Sequence, residues 1–222
     1  MNTTKNHKTF FLPNFGILED KLPTDLYNKL YEECLTARKN NSVMISRLTS
    51  SGVPEHFYIE KNINELNNYI AKLIPKYNDA FNYLSSFKLL SKDLYLSMGK
   101  PWINFQKKHE FLPNHTHDGV LSYSIWIKIP YDEKKEKNYK KSNIKEEQFY
   151  SFSFSYTNIL GEIEQQPYDI TKETEGFILM FPSKLTHCVY PFFTSDDDRI
   201  SISGNILLNS DNLVNSDNLI IE

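Results

Sequence analysis

Apolar residues recur at spacings of three and four along the first third of the chain and at spacings of two along most of the rest. Pro23 and Thr24 introduce Leu26, Tyr27, Leu30, Tyr31 and Cys34, which describe a helix with one buried face. Leu66, Ile70, Leu73 and Ile74 predict a second helix from about Ile63 to Phe87, with Pro75 as a break or kink. Residues 10–16, FFLPNFG, read as an edge strand or extended lead-in broken at Pro13. Residues 41–58 contain Ser50, Ser51, Gly52 and Pro54 and read as a loop with a short strand around Val43–Leu48. Helical character ends near Leu89.

Beyond that point the pattern is that of strands. LYLSMG at 94–99 and WINFQ at 102–106 are separated by the turn residues Gly99 and Pro101, and LSYSIWIKIP at 121–130 is the most regular strand. FYSFSFSYTNILGEI predicts a hairpin turning at Asn158–Gly161, and GFILMFP at 176–182, HCVYPFF at 187–193 and RISISGNILL at 199–208 follow. The segment between them at 131–148 is dense in charge and reads as a solvated loop or flexible insertion. Helices followed by short strands predict one α+β domain over residues 1–222. Its expected parts are a mainly helical front end (1–90), a double-stranded β-helix or jelly-roll core of cupin-like form (91–208) and a flexible tail (209–222). The helices are expected to pack on one sheet, leaving the barrel mouth for a metal or small ligand.

Composition narrows the function classes. The net charge of -3 gives no basic footprint for nucleic acid. No apolar run approaches the ~20 residues that span a bilayer. MNTTKNHKTFF has no apolar signal core, so the expected compartment is the cytoplasm, a host's cytoplasm for a viral protein. Cys34 and Cys188 are expected to be ordinary reduced thiols.

The candidate chemistry lies in the strands. His115 and His117 are two residues apart, so in an extended segment both imidazoles project to one face. His187, at the start of a later strand, can meet them across a barrel and close a three-point metal site. The alternative is that His187 caps a turn and the pair lies on a surface loop. Arg199, Ser201, Ser203 and Asn205 share one parity and Ile200 and Ile202 the other, so one face of that strand offers a guanidinium fork and a hydroxyl suited to a carboxylate. Alternatively Arg199 is a surface residue following Asp196–Asp198. Trp102, Asn104 and Gln106, and likewise Ser124, Trp126 and Lys128, are assigned to the inner face; Ile125, Ile127 and Ile129 are assigned to the outer face under the helices. Asn104 and Lys128 are then further candidates for ligand contact, with a solvent-facing strand-end lysine as the other reading of Lys128.

HTH at 115–117, GFILMFPSKLTHCVYP at 176–191 and DRISISGN at 198–205 together resemble the iron(II)- and 2-oxoglutarate-dependent oxygenases, in particular those of marine phages and bacteria. The resemblance covers about residues 95–208. It implies that His115, His117 and His187 bind Fe(II), and that Arg199 and Ser201 hold the far carboxylate of the cosubstrate 2-oxoglutarate. O2 would be consumed, succinate and CO2 released, and a peptide or small molecule hydroxylated. The superfamily usually has a carboxylate where this chain has His117. By strand parity the neighbouring Asp118 points away from His115, unless a bulge at Gly119 turns it inward. Three imidazoles leave the metal one more positive unit, which also admits Zn(II). Two alternatives are a three-histidine cupin-type metalloprotein that does not use 2-oxoglutarate and a non-catalytic ligand-binding sandwich.

Overall fold

The computed structural model describes residues 16–40, 55–84, 95–139, 149–209 and 219–220. In chain order its elements begin with β1 (Leu18–Lys21), α1 (Thr24–Asn40), β2 (Glu55–Tyr58), α2 (Ile63–Phe81), β3 (Tyr95–Met98), β4 (Trp102–Gln106), β5 (Leu112–His115) and β6 (Leu121–Lys128). They continue with α3 (Glu133–Asn138), β7 (Ser151–Thr157), β8 (Ile163–Asp169), β9 (Phe177–Pro182), β10 (His187–Val189), β11 (Arg199–Asn209) and β12 (Leu219–Ile220). The larger sheet runs β1-β9-β6-β11, and β4 and β3 then share the far side of the long strand β11 end to end. β2 pairs outside β4, and β12 outside β3. The smaller sheet is β5-β10-β7-β8. This is the expected jelly roll.

Strand alternation gives the larger sheet an apolar outer face and an inner face that is apolar only in part. Tyr123, Ile125 and Ile127 of β6, Ile103 and Phe105 of β4, and Ile200, Ile202 and Ile206 of β11 belong to one cluster with Leu26, Leu30 and Cys34 of α1 and Leu66, Ile70, Leu73 and Ile74 of α2. Each such side chain contributes about 1.5–3 kcal/mol when fully buried. Exposed ion pairs such as Lys29–Asp25 contribute about 0–1 kcal/mol, so the apolar face holds the helices in place. Tyr27 adds a hydrogen bond from its hydroxyl to the Ile127 carbonyl, 2.9 Å. A second cluster, Trp126, Leu179 and Phe181 with Phe152, Phe154, Tyr131, Tyr150 and Phe192, fills the space between the sheets. Among the described residues no helix is long and apolar enough to cross a membrane.

Several boundaries differ from the sequence reading. The edge strand is Leu18–Lys21, antiparallel to β9; residues 10–15 lie outside the described residues. Residues 55–58, read as loop, form β2 because β4 offers them a free edge, whereas Val43–Leu48 lies outside the described residues. α2 runs through Pro75, with Ile74 and Tyr77 buried on either side of it. It closes at Phe81, where Asn82 takes a left-handed conformation (φ 49°) and donates its N–H to the Asn78 carbonyl, short of the expected Phe87. Ile129 packs between the sheets and not under the helices, because β6 ends at Lys128 and the alternation ends with it. β10 keeps three residues of the predicted seven. The charged insertion begins with a short helix, α3, capped by the Asp132 carboxylate accepting from the Lys135 N–H at 3.1 Å; residues 140–148 lie outside the described residues. In the expected frayed tail, Leu219 and Ile220 pair with β3.

Candidate metal centre

The two histidine-bearing strands lie side by side. β10 pairs with β5 so that His187 stands opposite His115, and with β7 so that it stands opposite Phe154. Past His115 the chain remains tied to the barrel, the His117 N–H donating to the Ser183 carbonyl at 2.9 Å. It then turns at Gly119, whose φ is 114° and where a Cβ would lie 2.6 Å from the Ile206 carbonyl oxygen. A side chain is excluded there on both counts.

The three imidazoles converge. Their ring centroids are 4.3–5.0 Å apart, and one nitrogen from each lies within 4.8 Å of the others. His117 Nε2 and His187 Nε2 are 3.2 Å apart, about the separation of two nitrogens each ~2.1 Å from one ion at a right angle. His115 Nδ1 lies 2.7 Å from the Pro113 carbonyl and His187 Nδ1 2.8 Å from the Leu185 carbonyl. A carbonyl only accepts, so both Nδ1 atoms carry the proton and both Nε2 lone pairs are free to ligate. His187 is 1% exposed, stacked on Phe152 with Phe181 edge-on, and Trp102 lies 5.9 Å from the His117 ring. Asp118 does not turn inward; its exposed carboxylate pairs with Lys184 at 3.3 Å.

Burial keeps the imidazoles neutral. It lowers His117 to about 4 and His187 to about 3, with repulsion from His115 adding to both, and it lowers His115 as well. Neutral imidazole is the form that binds a divalent cation. The unfolded chain takes up protons near pH 6.5 that the folded chain refuses until much lower pH. The stability of the metal-free protein is therefore fully present above about pH 6.5 and erodes as pH falls toward 4 and 3. Melting temperatures of metal-free protein between pH 7.5 and 4 are expected to fall in that window; a flat profile would contradict buried imidazoles.

Behind the histidines the inner face of the larger sheet is polar. Trp102 Nε1 donates to Asn104 Oδ1 (3.0 Å), and Asn104 Nδ2 donates to Ser201 Oγ (3.2 Å) and Ser203 Oγ (3.1 Å). Asn104 and Ser201 thus occupy the inner face together, directly opposite one another. Arg199, two residues further along β11, is 2% exposed. Its Nε donates to Gln106 Oε1 at 3.0 Å, Nη1 to the Tyr131 hydroxyl (3.0 Å) and the Tyr150 carbonyl (3.3 Å), and Nη2 to Gln106 Oε1 and the Tyr190 carbonyl (2.8 Å). Every one of these acceptors is neutral. Among the described residues no carboxylate hydrogen-bonds this buried cation, so its charge is balanced by dipoles alone.

Lys128 falls elsewhere. The β6–β11 ladder shifts register between Ile200 and Ser201, and the Lys128 ammonium pairs with Asp197 at the rim, 3.2 Å away. It does not join the interior row to which parity assigns it. The sequence reading also missed His56, whose stretch reads as loop. It stands opposite Asn104 on β2, and both of its ring nitrogens are buried without a partner among the described residues. Tyr131 carried no signal, standing at the edge of the charged insertion. Gln106 was legible as an inner-face residue but not as a partner of Arg199. A cavity of about 460 Å³ near Asn28, Glu33 and Asn62 lies on the helix side and is separate from this centre; its Glu33 carboxylate holds the backbone N–H groups of Glu60, Lys61 and Asn62.

Residues 100–205 match the model of a family described as "Putative 2OG-Fe(II) oxygenase", a span that contains all three histidines and Arg199. No curated protein matches the chain. Among solved structures, a prolyl-4-hydroxylase from Pseudomonas putida is similar with a TM-score of 0.51 and 13% identity, covering 88% of this chain and 94% of that one. A prolyl hydroxylase from Trichoplax adhaerens, in complex with a hypoxia inducible factor oxygen degradation domain peptide fragment, has a TM-score of 0.49 and 11% identity over 88% of this chain and 84% of that one. The Pseudomonas likeness carries the fold. From β4 into β11, the strand core of this chain is similar to the 2OG-Fe(II) oxygenases in both sequence pattern and fold.

Proposed function

We propose that the protein is a non-haem Fe(II)- and 2-oxoglutarate-dependent dioxygenase that hydroxylates a peptide or small molecule, acting in the cytoplasm. One oxygen atom of O2 enters the substrate C–H bond and the other enters succinate, with CO2 leaving from the cosubstrate. The observation that carries this reading is the pairing of three convergent neutral imidazoles with a buried guanidinium on the same interior, hydrogen-bonded among the described residues to neutral groups alone.

The donor set fits the metal. His115, His117 and His187 would hold it through their Nε2 atoms, the carbonyls of Pro113 and Leu185 fixing two of the rings. Bound iron supplies the capacity to activate O2 against the keto acid; the protein's share is binding, orientation and exclusion of water. Arg199 offers its charge to the far carboxylate of 2-oxoglutarate. Ser201 and Asn104 line the way between them. Ser203, the β11 residue level with Trp102, lies four positions along the strand from Arg199. That is about 13 Å of strand, which a long arginine side chain and a five-carbon dicarboxylate fill together. Phe152, Phe154 and Phe181 wall His187 from water.

The ligand set also sets the charge balance. Three neutral imidazoles leave a divalent ion its full charge, so with Arg199 the dianionic cosubstrate meets more positive charge than it would beside a carboxylate ligand. That same histidine set favours a second reading, a cupin-type metalloprotein binding its substrate directly. Succinate distinguishes the two. Protein supplied with Fe(II), ascorbate, 2-oxoglutarate and O2, without any other substrate, is expected to form succinate above the protein-free rate. Its absence, together with no binding of 2-oxoglutarate, would favour the cupin-type reading.

A further inference from the structure

The charged insertion after β6 contains a glutamate that no solvated loop would hide. Glu136 of α3 is 0% exposed. Its carboxylate accepts the Phe193 N–H at 2.9 and 3.1 Å, the Thr194 N–H at 2.7 Å and the Thr194 hydroxyl. The segment it grips is the one leaving β10, and that segment walls Arg199: the Tyr190 carbonyl accepts from Nη2, and the Phe192 ring lies 5.5 Å from the guanidinium carbon. At its other end α3 is reached directly from Tyr131, whose hydroxyl accepts from Arg199 Nη1 and donates to the Ile170 carbonyl at 2.7 Å. Tyr131 and Phe192 stack with centroids 4.9 Å apart. One carboxylate thus ties together two chain segments that both line the Arg199 site, their rings stacked on each other beside the guanidinium.

From this geometry we infer that Glu136 is a positioning residue for the cosubstrate's far carboxylate, and that the start of the charged insertion is a strut for the Arg199 site. The inference rests on the dioxygenase reading above. A guanidinium with all five N–H groups engaged can exchange partners for an incoming carboxylate only if the surrounding carbonyls and hydroxyl stay in place. Glu136 keeps the Tyr190–Thr194 segment there by accepting from the Phe193 and Thr194 N–H groups and the Thr194 hydroxyl. Among the described residues its contacts stop short of the histidines, so metal binding should not depend on it.

The test compares wild type with Glu136→Gln and with Glu133→Gln, a half-buried position on the same helix whose carboxylate pairs with Lys137, in anaerobic calorimetric titrations of the Fe(II)-loaded protein with 2-oxoglutarate. Glu136→Gln is expected to raise the Kd for 2-oxoglutarate about tenfold, with metal affinity within twofold of wild type and Glu133→Gln unchanged. In uncoupled turnover the same variant should raise KM for 2-oxoglutarate and leave kcat at saturation near wild type, a split that general destabilisation does not produce. Wild-type affinity in Glu136→Gln, whatever its melting temperature, would reduce Glu136 to a fold-stabilising contact and overturn the inference. Should Glu136→Gln fail to fold, Glu136→Asp, which keeps the charge but cannot span both N–H groups, decides by the same split. If wild type itself binds no 2-oxoglutarate, the dioxygenase reading falls and this inference with it; if wild type binds and the variants bind equally well, this inference alone falls.

Discussion

Replacing Arg199 with methionine will raise the Kd for 2-oxoglutarate by at least ~100-fold while leaving metal affinity within about twofold. Removing one partner of a buried, hydrogen-bonded charge pair costs about 2–5 kcal/mol, and each ~1.4 kcal/mol is tenfold. Arg199 belongs at the upper part of that range because it is 2% exposed and its other partners, Gln106, Tyr131 and the carbonyls of Tyr150 and Tyr190, carry no charge to substitute for it. The variant will also melt at a lower temperature, since four acceptors lose their donor. Calorimetry with 2-oxoglutarate on metal-loaded protein, alongside metal titration of both proteins, reads the two affinities separately. Equal loss of both would mean that Arg199 supports the fold around the histidines and is no cosubstrate ligand.

His187→Ala is the second large effect, and it acts on the metal. Structural zinc sites with four ligands bind with about 10–16 kcal/mol, so one ligand accounts for roughly 3 kcal/mol, on the order of 100-fold in affinity. His187 is the most buried of the three, and its Nε2 lies 3.2 Å from that of His117. Alanine removes an imidazole that the fold keeps desolvated, and it opens space against Phe152, Phe154 and Phe181. The metal-free variant should consequently depend less on pH between 6.5 and 4 than wild type does. Titration with Fe(II) or Zn(II) under anaerobic conditions measures the loss; affinity within a few-fold of wild type would remove His187 from the ligand set.

The fold was legible where alternation was strict. Ile125 and Ile127 against Ser124 and Trp126, and Ile200 and Ile202 against Arg199, Ser201 and Ser203, each sort onto two faces as their parity requires, and the convergence of His115, His117 and His187 follows from β5 and β10 being neighbours. Parity failed where a strand ended or slipped. Ile129 lies one residue past the end of β6, and the shift between Ile200 and Ser201 carries Lys128 to the rim and to Asp197. Neither event leaves a mark in local sequence. Edge strands were hard to read for another reason: β1 and β2 are four residues each, too short for a period, and are defined by the neighbours that pair with them. Glu136 was hidden by its own setting, one acid among many charges, because composition reports the average solvation of a segment and not the single side chain that turns inward.

The most direct measurement is the stoichiometry of 2-oxoglutarate binding to the anaerobic protein with and without Fe(II). Converging imidazoles and a caged Arg199 predict one 2-oxoglutarate per iron, with affinity that rises sharply when the metal is present. No 2-oxoglutarate bound in the presence of stoichiometric iron would contradict the account at its centre.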